Sequence, residues 1–479
     1  MIEIKVNKEL LFVGGDISGI QKFIYNISSQ KAMVSLKGRS AFLCKYTQQL
    51  CRGILDLAPV KCATFAEQIY CSGGKFYLII EDSPEIRAAV EEYYRSEESR
   101  LWREQNGQLG LAIAYIPFLM LDNGGILAND MEYRQIGALW MLISAQFVKL
   151  KNQRFKKLLI NDYNSLFEPI PAGGDIQVCA VTGIESKECV KLADDADGDG
   201  LWVLPSVKEH IERGQQLRNE EHFKTLEEYA DGAFLGVLRM DVDGLGNRFI
   251  KGFETFNDYS AFSCKLSKFF EDKLKEVQSV YCKHLNIVYA GGDDLFAVGR
   301  WDVMIDFAEA VHSHFERYMD GEDVTISGGL AIVNPKFPIS KAAQMSGEAE
   351  DDAKHYRDGR KNAFCFFGRS VSWDDEFAWV KRKKDEFVYQ IQHNSIPRSI
   401  LHQMMRYSKA ALTGKNFSYK WHETYYLTRM IERTAETNLQ AHDYLKQLRQ
   451  ESILRSRDDY RLLSLAARWA ELYLRNNND

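Results

Sequence analysis

The chain has 479 residues, of which 45% are hydrophobic and 12% aromatic, a composition typical of a globular protein with about three domains. The absence of a long apolar run or a signal-peptide pattern predicts a soluble, cytoplasmic protein, and nine scattered cysteines favour reduced thiols. A net charge of -6 argues against a general polyanion binder, although residues 381–479 alone carry a balance of +7.

The N-terminal segment LLFVGGDISGIQKFIY, residues 10–25, predicts a buried strand ending near Asp16, a turn at Ser18-Gly19 and a helix. Farther along, IYCSGGKFYLII places Gly73-Gly74 between two apolar runs, which predicts a hairpin. The stretch MEYRQIGALWMLISAQFVKLKNQRFKKLL, residues 131–159, predicts a long amphipathic helical region.

An acidic run, DDADGDG at residues 194–200, fits the first half of a calcium-binding EF-hand loop that would begin at Asp195. The twelfth position is Ser206, where such a loop requires a bidentate glutamate. The pattern therefore favours an acidic loop over a calcium site.

The order of strand, helix and Gly-Gly hairpin then occurs a second time. The segment LGVLRMDVDGLGNRFI, residues 235–250, predicts a strand that ends at Asp241 and Asp243 and leads into a helix. The segment VYAGGDDLFAVG, residues 288–299, predicts a hairpin whose tip carries Asp293 and Asp294. The chain is thus predicted to contain an internal repeat.

Acidic residues of the second copy are expected to converge. Side chains alternate along a regular strand, but a turn breaks that alternation, so Asp293 and Asp294 can lie close together and beside Asp241. Hard oxygen ligands without nearby histidine or cysteine favour Mg²⁺ or Mn²⁺. Two such ions can bind a triphosphate and promote attack of a hydroxyl on its α-phosphorus. A solvated hairpin turn is the alternative interpretation.

The first copy differs where this chemistry would take place. Matching the two Gly-Gly pairs sets Lys75 and Phe76 against the paired aspartates, and Ser18 stands against Asp243. The first copy is therefore predicted to keep the scaffold without holding metal.

These motifs carry a family resemblance. DVDGLG followed by AGGDD resembles the palm domain of nucleotide cyclases and of diguanylate cyclases of the GGDEF type, and AEDDAKHYRDGRKNAFCFFG, residues 349–368, resembles the end of such a domain. Together with GGDISGIQKFIY, LKGRSAFL and the order of two palms, they resemble the large subunit of type III CRISPR effector complexes, the Cas-ten family.

The resemblance implies an α+β fold with two ferredoxin-like palm domains, an insert between them and a helical C-terminal domain. The corresponding boundaries are residues 1–165 for a non-catalytic first palm, 166–232 for the insert, 233–372 for the catalytic palm and 373–479 for the helical domain. The segment PIPAGGD, residues 169–175, is the expected linker.

In that family the second palm converts ATP to cyclic oligoadenylate when the complex has captured target RNA. By resemblance, Asp241, Asp293 and Asp294 are the catalytic, metal-binding carboxylates, with Asp243 a further metal ligand. Contacts to the nucleotide are implied for Gly291, Gly292, Lys354, Lys361 and Ser18. The two lysines could equally be solvated helix or turn residues. The expected cofactor is Mg²⁺ or Mn²⁺, and the expected substrate is ATP.

Two departures from the family pattern change the expectations. Many members begin with an HD nuclease domain, whereas this chain begins almost at the first palm, so we expect no DNA cleavage from it. The dipeptide His442-Asp443 is predicted to be a helix feature. Many members also carry a four-cysteine zinc module between the palms, but here Cys179 and Cys189 are each left without a second cysteine, so no zinc is expected.

The expected partners are the other subunits of the complex, guide RNA, target RNA and ATP, with no membrane. The family's helical domain contacts a small partner subunit, and the basic balance of this one would suit nearby RNA, although a basic face can also be merely solvated. Two alternatives remain open. The chain could be a non-catalytic scaffold, or a related palm synthase that uses another acceptor or nucleotide.

Overall fold

The computed structural model describes residues 8–27, 31–161, 163, 176–192, 200–414, 417–436 and 438–476. The chain divides into two compact units: unit 1 comprises residues 1–326 and 333–345, and unit 2 comprises residues 327–332 and 346–479. The predicted linker at 169–175 and all of the acidic run except Gly200 lie outside the described residues. Among the helices that are described, none is both long and apolar enough to span a membrane.

The first half of unit 1 is built on a sheet with the strand order β2-β3-β1-β4-β5-β6. In chain order its elements are β1 (Glu9–Ser18), α1 (Ile20–Tyr25), α2 (Ala32–Leu55), α3 (Ala58–Lys61), β2 (Ala66–Ser72), β3 (Lys75–Glu81), α4 (Pro84–Gln105), β4 (Gly110–Met120), β5 (Ile126–Ala128), β6 (Met131–Tyr133), α5 (Ala138–Asn152) and α6 (Lys156–Asn161). Strand β1 is central and antiparallel to both β3 and β4. Its apolar run is buried, as a strand covered on both faces requires.

Short elements follow in the predicted insert. They are β7 (Gln177–Val178), β8 (Glu185–Ser186), β9 (Val190–Lys191), β10 (Trp202–Val203), α7 (Pro205–Glu221) and α8 (Leu226–Ala230). Strands β7 and β8 form one small antiparallel sheet, and β9 and β10 form another. Cys179 and Cys189 are both buried in this region. Helix α8 begins at a capping box, in which Thr225 and Glu228 each accept a backbone N–H of the other residue.

The second half of unit 1 repeats the topology of the first. Its elements, of which the last two extend into unit 2, are β11 (Leu235–Asp243), α9 (Leu245–Lys251), α10 (Phe256–Lys268), a π-helical turn (Phe269–Lys273), α11 (Leu274–Tyr281), β12 (Leu285–Gly291), β13 (Asp294–Arg300), α12 (Trp301–Tyr318), β14 (Thr325–Val333) and α13 (Ile339–Lys354). The order β12-β13-β11 matches β2-β3-β1. The first strand of each hairpin also contains a shift in pairing register, which lies just before Tyr70 in one copy and just before Tyr289 in the other. The predicted internal repeat is confirmed.

The two halves of unit 1 share a core. Trp140 of α5 stacks on Tyr259 of α10 with ring centroids 4.0 Å apart, and Tyr25 of α1 packs on Phe296 of β13 at 4.3 Å. Gly137 lies so close to Ile250 that a Cβ there would be 1.9 Å from the Ile250 carbonyl oxygen. Only glycine permits this approach of the two backbones.

A buried histidine gives this core a pH dependence. His210 of α7 is 3% exposed and packs edge-on against the rings of Phe23 and Phe42. Burial, with a smaller contribution from the positive charge of Arg39, lowers the pKa of His210 to about 3. The unfolded chain has an ordinary histidine pKa of about 6.5, so below that pH it binds a proton that the folded chain excludes. The stability contributed by neutral His210 is therefore complete above about pH 6.5 and is lost as the pH falls toward 3.

We expect the free energy of unfolding to fall by about 2 kcal/mol more between pH 7 and pH 5 in the wild type than in a His210→Phe variant. Urea unfolding of both proteins at the two pH values measures this difference. Equal losses in the two proteins would contradict the assignment of a neutral, buried histidine.

Unit 2 contains the middle of β14 and the C-terminal elements. These are α14 (Tyr356–Gly359), β15 (Ala363–Phe366), β16 (Arg369–Ser372), α15 (Glu376–His393), α16 (Ser399–Thr413), α17 (Ser418–Thr434), α18 (Leu439–Leu454) and α19 (Arg457–Asn476). The middle of β14 is parallel to β15, which is antiparallel to β16. Helices α15 and α16 pack on α19, and α17 packs on α18. The predicted helical C-terminal region is confirmed.

Candidate metal centre

The register of β11 and β13 brings two of the predicted carboxylates side by side. Asp241 and Asp294 are direct cross-strand partners, and the backbone N–H of Val242 donates to the Asp293 carbonyl at 3.2 Å. Directly opposed residues of antiparallel strands project from the same face of a sheet. The end of β11 therefore meets the start of β13 with carboxylates on one face.

The turn between β12 and β13 supplies the third carboxylate. Gly291 pairs with Asp294, which leaves Gly292 and Asp293 as the two turn residues. Gly292 has φ 68°, in the left-handed region that disfavours residues with a Cβ. A Cβ at this position would also lie 2.9 Å from the hydroxyl of Tyr70. The turn that presents Asp293 is thus specific to glycine at its first position.

Asp241, Asp293 and Asp294 form a compact triad. One carboxylate oxygen from each lies within 4.8 Å of the other two, and all three residues are half-buried. Two like charges about 4 Å apart repel by roughly 4 kcal/mol at an effective dielectric constant near 20. A divalent cation would reverse the sign of this interaction, and an all-oxygen ligand set suits a hard ion such as Mg²⁺ or Mn²⁺. The triad therefore fits a metal-binding role.

Asp243, the fourth predicted metal ligand, is placed differently. It is 4% exposed, and one carboxylate oxygen accepts a hydrogen bond from the Thr325 hydroxyl at 2.8 Å. This bond ties the end of β11 to the start of β14. The structure does not bring Asp243 into the triad, and its role as a metal ligand remains a prediction.

A cavity of about 480 Å³ lies beside the triad and is lined by residues of both copies. Asp293, Asp294 and Tyr289 contribute from the second copy, whereas Ser18, Lys22, Lys75 and Lys151 contribute from the first. Its volume falls within the range of small-molecule sites. Ser18, predicted to contact the nucleotide, therefore stands on the cavity wall.

At the corresponding position of the first copy, lysine neutralises the charge of the single carboxylate. Asp16 holds the register position of Asp241, and its carboxylate pairs with the Lys151 ammonium at 2.7 Å. Lys75 lies opposite Asp16 in the way that Asp294 lies opposite Asp241. A lysine therefore occupies the place of a carboxylate, which agrees with a first copy that holds no metal.

The register also corrects the alignment of the two hairpins. Tyr70 and Tyr289 occupy equivalent positions after the strand irregularity, so Lys75 corresponds to Asp294 and Gly74 to Asp293. Setting Lys75 and Phe76 against the paired aspartates was therefore wrong by one residue. Matching the Gly-Gly pairs caused the error, because the turn begins at the first glycine of the pair in the first copy and at the second glycine in the second copy.

The two predicted nucleotide-binding lysines belong to unit 2, whereas the triad belongs to unit 1. The ammonium group of Lys354 lies 2.7 Å from a Glu350 carboxylate oxygen, and Lys361 has φ 63° in the turn before β15. A role toward the nucleotide remains a prediction for both. His442, on α18, lies with its ring Nδ1 3.0 Å from the carbonyl oxygen of Ile431, a contact that links α18 to α17.

Sequence reasoning did not identify Tyr289 or Lys151 as residues of the site. Burial raises the pKa of Tyr289 well above its usual value, with further contributions from Asp294, Cys44, Asp293 and Tyr25, so its phenol stays protonated beside the aspartates. The recurrence of a tyrosine five residues before the Lys75 and Asp294 positions was the available signal. Lys151 is far from Asp16 in sequence and left no local signal.

The same strand order thus occurs twice in unit 1, with an acidic triad in one copy and a lysine at the corresponding position of the other. Comparison with protein families assigns a separate domain model to each copy of the repeat. The model of the second palm domain of Cas10/Cmr2 matches residues 234–365, and that of Csm1 subunit domain B matches residues 9–169. The two models lie on different parts of the chain, which is therefore similar to the Cas10 large subunits of type III CRISPR complexes in both halves of unit 1.

Similar proteins include two curated relatives, each named as the Cas10/Csm1 single-strand-specific deoxyribonuclease of subtype III-A. The Mycobacterium tuberculosis protein is 24% identical and the match covers 90% of this chain and 63% of that protein. For the Enterococcus italicus protein the identity is 26%, with 86% of this chain and 59% of that protein covered. The chain therefore spans about three fifths of the length of these relatives.

Solved structures show the same fold. A Csm1–Csm4 cassette in complex with pppApApA has a TM-score of 0.68 at 18% identity and covers 98% of this chain and 70% of that one. A Csm1–Csm4 cassette in complex with AMPPNP has a TM-score of 0.63 at 20% identity and covers 87% and 64%.

Proposed function

We propose that this chain is a nucleotidyltransferase that converts ATP to cyclic oligoadenylate when a type III complex binds target RNA. The observation that carries the proposal is the cavity that Asp293 and Asp294 line together with Lys22, Lys75 and Lys151. A nucleoside triphosphate bound with metal needs carboxylates to hold the cations and ammonium groups near its phosphates. The cavity offers both sets of groups at once.

In the proposed reaction a ribose hydroxyl oxygen forms a bond to the α-phosphorus of ATP. The bond between this phosphorus and the oxygen that it shares with the β-phosphate breaks, and pyrophosphate leaves. The hydroxyl proton passes to water. Asp241, Asp293 and Asp294 would hold the metal. Bound Mg²⁺ or Mn²⁺ supplies neutralisation of the phosphate charge and activation of the hydroxyl. The lysines of the first copy would orient the phosphates, and Tyr289 would shield one wall of the cavity from water.

Nucleotides in similar structures support adenine nucleotides as substrate and products. Csm1–Csm4 cassettes that share this fold are described in complex with one ATP, with pppApA, with cA3 and with cA4. These molecules correspond to a substrate, a linear intermediate and cyclic products.

The partners we propose are a Csm4-like subunit, further subunits of the complex, guide RNA and target RNA. Unit 2 carries an exposed aromatic stripe formed by Phe417, the N-cap of α17, and by Trp421 and Tyr425 of that helix, which are 63%, 78% and 67% exposed. The Lys420 ammonium bonds to the carbonyl oxygen of Ile453, which places the exposed end of α18 beside this stripe. Such a surface suits a helix of a small partner subunit.

The deoxyribonuclease named in the relatives is not what we propose for this chain. Within the part of the chain that the structure describes, the group of side chains able to hold a metal is the aspartate triad. A purely scaffolding role would leave unexplained why three carboxylates lie together and why two of them, Asp293 and Asp294, line a cavity with lysines.

A regulated synthase should respond to target RNA, because a site that was always active would drain ATP. We expect the lone chain to turn over ATP slowly in Mg²⁺, and the assembled complex to turn it over at least about tenfold faster once target RNA is bound. ATP consumption and product mass are measured for the chain, the complex, and the complex with target RNA. Equal rates in all three states would contradict the regulation, and the absence of any oligonucleotide product would contradict the function.

A further inference from the structure

The turn that carries Asp293 is contacted by the hairpin of the other copy. The backbone N–H of Gly292 donates to the hydroxyl oxygen of Ser72 at 3.0 Å. Beside it, Gly73 approaches the same turn so closely that a Cβ there would be 3.0 Å from the Gly291 carbonyl oxygen and 3.1 Å from the Gly292 Cα. The two Gly-containing turns of the repeat thus face each other across unit 1.

Tyr70 lies two residues before Ser72 on β2 and is 8% exposed. A Cβ at Gly292 would lie 2.9 Å from the Tyr70 hydroxyl, so this side chain also packs against the turn that carries Asp293. Two side chains of the first copy, Ser72 and Tyr70, therefore lie against the backbone of that turn.

This turn needs external support for two reasons. Gly292 has no side chain that would limit its backbone, so the turn has more conformational freedom to lose than one built from other residues. Repulsion within the triad also pushes Asp293 away from Asp241 and Asp294. Metal ligands must stay within roughly 0.5 Å of their productive positions, and the residues around them provide that restraint.

We propose that the β2–β3 hairpin of the non-catalytic copy is a brace for the metal centre, with Ser72 as the positioning residue that fixes the Gly292–Asp293 turn. Ser72 stands at the repeat position that Gly291 occupies in the second copy, so the bond cannot be reciprocated by the other hairpin. The first copy, which lacks the triad, thereby contributes to metal affinity through a backbone contact. This brace proposal rests on the proposed function, which supplies the reason for a metal ion to bind at the triad.

The test uses the full chain and Mn²⁺ alone as the probe, followed by electron paramagnetic resonance. Ser72→Ala removes the acceptor, Ser72→Thr restores a hydroxyl, and Ser279→Ala is the matched control, because Ser279 also makes one hydroxyl-to-backbone bond in unit 1. Asp293→Ala with Asp294→Ala gives the baseline for binding outside the triad. Melting temperatures of all the variants report whether each one folds.

One hydrogen bond of ordinary net strength predicts about fivefold weaker Mn²⁺ binding in Ser72→Ala, with Ser72→Thr within about twofold of wild type and Ser279→Ala unchanged. In the assembled complex Ser72→Ala should lower kcat and leave the KM for ATP unchanged. Wild-type affinity in Ser72→Ala, or equal losses in the alanine and threonine variants, would overturn the brace alone. A wild-type chain that binds Mn²⁺ no better than the double aspartate variant would overturn the proposed function as well.

Discussion

Replacing Asp293 and Asp294 together with alanine is expected to abolish Mn²⁺ binding at the triad and to lower nucleotide product formation by about a thousandfold or more. The change removes two of the three carboxylates that lie within 4.8 Å of one another. The remaining Asp241 cannot hold a divalent ion alone at ordinary metal concentrations. Because the change also removes charge repulsion, the melting temperature should stay the same or rise.

The matched control is Asp351→Ala with Asp352→Ala, an adjacent and exposed aspartate pair on α13. It removes the same charge from the chain and should leave metal binding and product formation near the wild-type level. Guide-RNA assembly of the complex should be intact in both double variants. Undiminished product from the Asp293 and Asp294 variant would place the catalytic site elsewhere.

Arg455→Ala is expected to destabilise unit 2 by about 3–5 kcal/mol. The guanidinium of Arg455 lies 2.7 Å from a carboxylate oxygen of Glu423, and the side chains are 3% and 0% exposed. The Tyr460 hydroxyl donates to the other oxygen of this carboxylate. Removing the arginine leaves a buried carboxylate whose charge is no longer balanced, and the cost of that charge exceeds the strength of the pair itself.

Arg429→Ala provides the comparison, since Arg429 pairs with Glu432 at 3.0 Å while both side chains are 56% exposed. Solvent screens such a pair, so the loss should be below about 1 kcal/mol. Urea unfolding monitored by helical circular dichroism measures both variants. Similar losses in the two proteins would show that burial does not set the cost at Arg455.

The repeat and most of the candidate site could be predicted from sequence because local patterns define them. An apolar run, an aspartate and a glycine turn predict a strand and its end, and the alternation of side chains sets which face each residue occupies. The offset of one residue between the hairpins could not be predicted from glycine spacing. It depends on which two residues form each turn, Gly73-Gly74 in one copy and Gly292-Asp293 in the other, and only the pairing between strands reveals this.

Contacts between residues far apart in the sequence explain the parts of the candidate site that could not be predicted. Asp243 has the same strand position relative to Asp241 that a further metal ligand would need, but Thr325 of a distant strand bonds to it instead. Lys151 neutralises Asp16 from a helix that follows more than a hundred residues later. Neither pairing leaves a periodic signal in the sequence, because each depends on how the elements pack.

The region from residue 131 shows how packing overrides a helical pattern. It begins as strand β6, whose residues Met131–Tyr133 pair with Ile126–Ala128, and α5 starts only at Ala138. The close approach of Gly137 to Ile250 fixes the point at which the chain turns into the helix. The amphipathic pattern predicted the helix but not this boundary.

Metal and nucleotide binding at the triad can be tested with an anomalous difference map at the manganese absorption edge, from crystals of the assembled complex with Mn²⁺ and a non-hydrolysable ATP analogue. We expect a peak within coordination distance of Asp241, Asp293 and Asp294, with the triphosphate of the analogue extending into the cavity toward Lys75 and Lys151. A nucleotide bound in this cavity without manganese at the triad, or manganese and nucleotide bound together elsewhere, would contradict this expectation.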